Sequence, residues 1–176
     1  MQTPVEGLWL VVMGVSGCGK SSLGRAVAED LALPLIEGDD FHPRSNIEKM
    51  HSGVPLTDAD RGGWLVRLGQ ELAAHRAGAV LTCSALKRAY RDRLRAAVPG
   101  LRFVFMQIDR DEALARVQAR SAVHIFPASL VDSQFQTLES PQGEPGVLTV
   151  SAVAPLPESA AHVRAWVFAA AGQAHA

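Results

Sequence analysis

Apolar residues in this chain come in short unbroken runs rather than in strict alternation. Runs at residues 8–13, 33–36, 79–83, 101–108 and 147–150 have the length and continuity of strands buried on both faces. Between them, apolar positions recur at helical spacing over about 21–31, 60–77, 86–98, 111–120 and 127–138, and a last helix is predicted over 157–171 with Val163, Trp166 and Val167 on its dry side. Strand and helix alternate, which selects an α/β sandwich with a five-stranded parallel sheet, helices on both faces and right-handed crossovers. Two stretches are less regular, 37–57 and 121–128. In open α/β sheets ligands bind at the carboxyl ends of strands, so these are the expected acceptor-binding segment (about 37–64) and lid (about 120–128).

Composition narrows the picture. A chain of 176 residues with 48% hydrophobic and 20% charged residues is one packed domain and excludes a disordered or low-complexity protein. Seventeen Lys and Arg against 18 Asp and Glu leave a net charge of −1, so nothing draws the whole surface to nucleic acid or anionic lipid. No apolar run is long enough to span a bilayer, and the two cysteines, Cys18 and Cys83, form no CxxC pair. A reduced, cytoplasmic protein without structural zinc is expected.

The chemistry begins after the first strand. Gly14-Val15-Ser16-Gly17-Cys18-Gly19-Lys20-Ser21 fits G-x-x-x-x-G-K-[ST] between a predicted strand and a predicted helix, which is the context a phosphate-binding P-loop requires. Its glycines let backbone N–H groups turn onto phosphate oxygens, with Ser22 continuing the helix start. Lys20 reaches the β- and γ-phosphates, and the Ser21 hydroxyl can ligate Mg²⁺. ATP and Mg²⁺ are the expected cofactors, and the fold is a three-layer P-loop NTPase sandwich with a mobile lid. Asp60-Arg61-Gly62-Gly63 matches D-x-x-G, but without an N-K-x-D guanine reader the match is accidental. No run of apolar residues ending in Asp makes a convincing Walker B, so a metal-side carboxylate must come from elsewhere. Cys18, inside the loop and near a helix start, is expected to be a reactive thiol that ATP shields.

Glu37, Asp39 and Asp40 gather at the carboxyl end of the second strand, which is expected to lie beside the P-loop strand. A kinase needs a carboxylate to orient the acceptor hydroxyl and take its proton, and Asp39 is the candidate. Glu37, two residues earlier and expected to point the same way, could hold Mg²⁺ through water. A solvated, helix-capping acidic turn is the alternative.

The run Glu37-Gly38-Asp39-Asp40-Phe41-His42-Pro43, with Asn46-Ile47-Glu48-Lys49-Met50, Gly53-Val54-Pro55-Leu56, Asp58, Asp60-Arg61 and Trp64-Leu65, resembles the gluconate kinase family, small kinases similar in fold to shikimate kinase. The resemblance continues through Cys83-Ser84-Ala85-Leu86-Lys87, Tyr90-Arg91-Asp92, Leu94-Arg95, Gln134-Phe135, Leu138-Glu139 and Pro141, and so covers nearly the whole chain. It implies ATP-dependent phosphorylation of D-gluconate at its 6-hydroxyl, with Mg²⁺, commonly in a homodimer, and it implies that Ser84 is a substrate contact. Two features depart from the pattern: Cys18 stands where serine is usual, and the lid sequence Arg120-Ser121-Ala122-Val123-His124-Ile125-Phe126 lacks a glycine before His and inserts a residue before Phe.

Gluconate needs a cation for its carboxylate and polar groups for its hydroxyls. Arg61 offers a planar fork, His42 can donate to hydroxyls, and Lys87 adds positive charge. Against these stand bland pairings. Arg61 could bind Asp58 or Asp60, and Lys87 with Arg88, Arg91 and Arg95 could form the wet face of a helix whose dry face is Leu86, Tyr90 and Leu94. Arg116 and Arg120, four apart before the lid, suit closure over the phosphates, with a Glu112–Arg116 pair as the alternative for the first. Residues 151–155 are the expected adenine loop. A kinase for another polyol acid or a shikimate-like alcohol, and a nucleotide-sensing protein without chemistry, are the rival readings. Asp39 opposes the second, because a sensor needs no acceptor-side carboxylate.

Overall fold

In the computed structural model, which describes residues 7–120 and 127–173, five parallel strands form one sheet in the order β2-β3-β1-β4-β5. They are β1 (Leu8–Met13), β2 (Leu35–Glu37), β3 (Gly78–Thr82), β4 (Arg102–Gln107) and β5 (Val147–Ser151). The helices are α1 (Lys20–Leu31), α2 (Arg44–His51), α3 (Asp58–Ala74), α4 (Arg88–Ala97), α5 (Arg110–Arg120), α6 (Ser129–Thr137) and α7 (Leu156–Gln173), with a 3₁₀ turn at Gly38–Phe41.

Period-two geometry sends successive side chains of each strand into different layers. On β1, Leu8, Leu10 and Val12 meet Leu23, Val27 and Leu31 of α1 and Val163 and Val167 of α7. Val11 and Met13 meet Trp64, Leu65, Leu68 and Leu72 of α3 and Tyr90 and Leu94 of α4. Both faces of the sheet are therefore covered, which explains why these strands read as unbroken apolar runs. None of the described helices is long and apolar enough to cross a membrane.

Three expectations change. β2 does not lie beside β1, because β3 separates them. β3 is buried at all five positions, whereas β2 has three residues with half-buried ends, so the fully buried strand takes the inner place. Within 37–57, read as irregular, the chain forms the 3₁₀ turn and α2. α3 also starts two residues before the predicted Asp60. Thr57 accepts from the Asp60 N–H at 3.2 Å while the Asp60 carboxylate accepts from the Thr57 N–H at 2.9 Å, a reciprocal cap that satisfies two donors.

Candidate active site

The P-loop leaves β1 at Gly14 and enters α1 at Lys20, with Gly14, Gly17 and Gly19 all at positive φ. Lys20 Nζ donates to the carbonyls of Gly14 at 3.0 Å and Val15 at 3.2 Å, which folds its ammonium over the loop. Ser21 and Ser22 stand exposed in the first turn of α1. The Ser16 N–H donates to Gln134 Oε1 at 2.6 Å, so α6 closes one side of the loop. Arg116 makes the pair with Glu112 that was the alternative to phosphate closure, at 2.8 Å, and its guanidinium also reaches the carbonyls of Gly17 at 3.4 Å and Ala152 at 3.2 Å. It thereby ties the phosphate loop to the expected adenine loop. Arg120 is exposed at the end of α5. The expected lid falls mostly on 121–126, and these residues, His124 among them, lie outside the described residues.

Cys18 contradicts its expected reactivity. Its side chain is buried in the α1/α7 layer of the core, its Sγ only 2.8 Å from where a Cβ on Gly14 would stand. The loop turns its backbone toward ligand and this side chain away from it. Burial also pushes the Cys83 thiol up to about 12, so it stays protonated at neutral pH. Alkylation of native protein at neutral pH is therefore expected to be slow at both cysteines and to become fast only in denaturant. Peptide mapping that finds Cys18 labelled in the native state would contradict the buried placement.

Glu37, at the end of β2, accepts from Ser21 Oγ at 3.0 Å and from Thr82 Oγ1 at 2.5 Å. Its carboxylate is thus fixed beside the P-loop hydroxyl, an all-oxygen donor pair of the hard type Mg²⁺ prefers. Gly38 follows, and a Cβ there would stand 2.2 Å from the Thr82 carbonyl oxygen. Only glycine lets the 3₁₀ turn sit this close on β3. The turn breaks the period-two relation expected of Glu37 and Asp39. Asp39 instead projects into the cleft with its side chain 87% exposed.

His42 stacks on Trp64 with ring centroids 4.1 Å apart, and its Nε2 lies 3.8 Å from Asp39 Oδ1. Burial pushes its imidazole below the ordinary value, with Asp39 opposing that shift and Arg61 adding to it. Trp64 is itself held by an indole N–H bond to the Gly38 carbonyl at 2.8 Å. Neither bland pairing of Arg61 forms among the described ion pairs. Asp60 takes Lys49 at 2.8 Å, and hydrogen bonds from Lys49 and Thr57 lower its carboxyl to about 2. Asp58 takes Lys87 at 2.9 Å and the Tyr90 hydroxyl, and these bonds hold its carboxyl below the usual range. Arg61 rests on the Leu56 carbonyl at 2.8 Å and Tyr90 Oη at 3.3 Å, both through Nη1.

The supposed wet face of α4 is another correction. Tyr90 and Leu94 are buried as expected, but so is Arg91, at 0% exposure. It forms a two-bond pair with Glu144, at 2.5 and 3.1 Å, and donates through Nη1 to the carbonyls of Ala85 at 2.8 Å and Leu86 at 3.1 Å. Arg95 adds a third bond to Glu144 at 2.7 Å. Burial raises the Glu144 carboxyl, but the bonds from Arg91 and Arg95 outweigh it and keep it ionised. This network clamps the turn after Ser84, where Ala85 has φ 46°.

One cleft is lined by Ser16, Lys20, Asp39, His42, Arg61 and Ser84, so the structure gathers phosphate-loop and acceptor-side candidates that are far apart in sequence. Lys87 lies outside that lining, engaged by Asp58. Trp64, Leu130, Ser133 and Gln134 also line it and were not singled out as site residues. Only the family-like blocks containing Trp64 and Gln134 hinted at those two.

A family model described as an AAA domain matches residues 9–141. The chain is 47% identical over 148 residues to the gluconokinase of Gluconobacter oxydans, covering 81% of this chain and 82% of that one. To the thermoresistant gluconokinase of Escherichia coli it is 44% identical over 150 residues, covering 83% and 85%. The crystal structure of a gluconokinase from Sinorhizobium meliloti matches with a TM-score of 0.82 at 43% identity, covering 94% of this chain and 98% of that one. Relatives matched over four-fifths of their length, and a solved gluconokinase structure with the same fold, place the chain in the gluconokinase family.

Proposed function

We propose that this protein transfers the γ-phosphoryl group of ATP to the 6-hydroxyl of D-gluconate, giving 6-phospho-D-gluconate, as a single cytoplasmic P-loop kinase domain that works as a homodimer. The observation that carries the reading is the shared cleft, in which Lys20 and Ser16 of the phosphate loop face Asp39, His42, Arg61 and Ser84. In this reading Asp39 orients the hydroxyl and takes its proton while a bond forms from that oxygen to Pγ and the bond from Pγ to ADP breaks. Lys20 and the loop amides hold the β- and γ-phosphates, and Arg116 and Arg120 approach the phosphates from α5. Ser21 and Glu37 are the residues that would hold Mg²⁺, which when bound neutralises phosphate charge. Arg61 binds the carboxylate, and His42 and Ser84 bind hydroxyls. Lys87 enters through Asp58 and Tyr90, which orient Arg61.

Arg61→Ala is expected to raise KM for gluconate about tenfold or more, with KM for ATP little changed, because the anchor of one substrate is lost. Steady-state kinetics with each substrate varied checks this, and an unchanged gluconate KM would return Arg61 to a packing role on Tyr90. The function itself is tested by a coupled ADP-release assay with Mg²⁺ across a panel of sugar acids and shikimate-like alcohols. Gluconate should give the highest kcat/KM. Turnover of another alcohol without response to gluconate would overturn the assignment.

A further inference from the structure

The Asn46 amide faces a group of fixed chemistry. Its Nδ2 lies 2.9 Å from the main-chain carbonyl of Asp60, which can only accept, so the NH₂ end must point there. The same Nδ2 lies 3.3 Å from His42 Nδ1. The second amide hydrogen is thus directed at that ring nitrogen, which must meet it with a lone pair. A neutral imidazole that accepts at Nδ1 carries its proton on Nε2, the nitrogen that faces Asp39. Asn46 is 2% exposed and the His42 side chain 4%, and the ring is clamped on Trp64, so water does not substitute for the amide.

We propose that Asn46 is a positioning residue that fixes His42 as an Nε2–H donor toward the acceptor hydroxyls, so that His42 orients the substrate and takes no part as a base. The second half of this statement rests on the kinase reading above; the tautomer does not. The charged groups acting on the ring are Asp39 from the turn after β2 and Arg61 from α3, and their effects oppose one another. From α2 the ring meets the neutral Asn46, while Lys49 of that helix is engaged by Asp60. The proposal also explains α2, whose one buried residue is Asn46. That helix carries an amide to the site rather than an apolar face to the core.

Long-range proton–nitrogen correlation spectra of ¹⁵N-labelled protein at neutral pH read the tautomer directly, with the His42 signals assigned by their loss in His42→Gln. An unprotonated Nδ1 and a protonated Nε2 are expected. A proton on Nδ1, alone or with Nε2, would overturn the proposal. In Asn46→Asp a carboxylate replaces the donor, so Nδ1 should acquire a proton, and kcat/KM for gluconate should fall about tenfold as one charge-sensitive hydrogen bond is misaligned. KM for ATP should stay within about twofold, as the phosphate side is untouched. Unchanged gluconate kinetics in that variant would remove the positioning role. If the variant does not fold, or wild-type protein does not phosphorylate gluconate, the wild-type spectrum still reads the tautomer, and a proton on Nδ1 there overturns the proposal.

Discussion

Lys20→Ala is expected to abolish phosphoryl transfer, lowering kcat/KM by about a thousandfold or more, because a preorganised charge on the β- and γ-phosphates acts where negative charge must be stabilised in the transition state. The ammonium is already carried on the loop by the Gly14 and Val15 carbonyls, so the wild-type protein needs little rearrangement to present it. Lys20→Arg should not restore the rate, because a planar fork cannot occupy the place of a compact ammonium on those two carbonyls. Circular dichroism should show both variants folded, since Lys20 contributes nothing to either apolar layer of the core. Near-normal turnover in Lys20→Ala would refute the phosphate-cradle reading of residues 14–21.

Asp39→Asn should lower kcat by about a hundredfold to ten-thousandfold, the range for losing a positioned proton acceptor, while leaving ATP affinity nearly intact. The amide keeps the shape of the carboxylate but cannot take the hydroxyl proton. Because the Asp39 side chain is exposed to the cleft and, among the described residues, forms no ion pair beyond its 3.8 Å approach to His42, its loss should not cost stability either. Calorimetry that finds ATP affinity falling in step with activity would move Asp39 from the acceptor to the metal side. Glu37, tied to Ser21 and Thr82, already has the geometry for the metal side, which is why the two carboxylates are expected to behave differently.

Legibility in the sequence followed the physics of each contact. The five strands were readable because both faces of the sheet are covered, and β1 was predicted at its observed bounds, Leu8–Met13. α2 was not readable. Its single buried residue is Asn46, so its tie to the domain is polar and leaves no apolar periodicity to detect. Arg91 was misjudged for a related reason. A charge signals exposure unless its partner is known, and Glu144 lies 53 residues away in the loop before β5. Gln134 sits 118 residues from the Ser16 N–H it accepts from, and no local pattern reports such a bond.

What the sequence determined by itself was the chemistry available: the phosphate loop, the acidic cluster after the second strand, and the cations that suit an acidic polyol. Those are local matters, since glycine spacing and side-chain type fix what a short segment can bind. The tertiary structure decided which groups face one another. It placed β3 between β1 and β2, turned Cys18 into the core, put Asp39 in a 3₁₀ turn that directs it away from Glu37, and committed Lys87 to Asp58 while leaving Arg61 on the cleft. Each of these depends on contacts between segments far apart in the chain. Strand order and side-chain direction follow from how whole layers pack, which no single segment encodes.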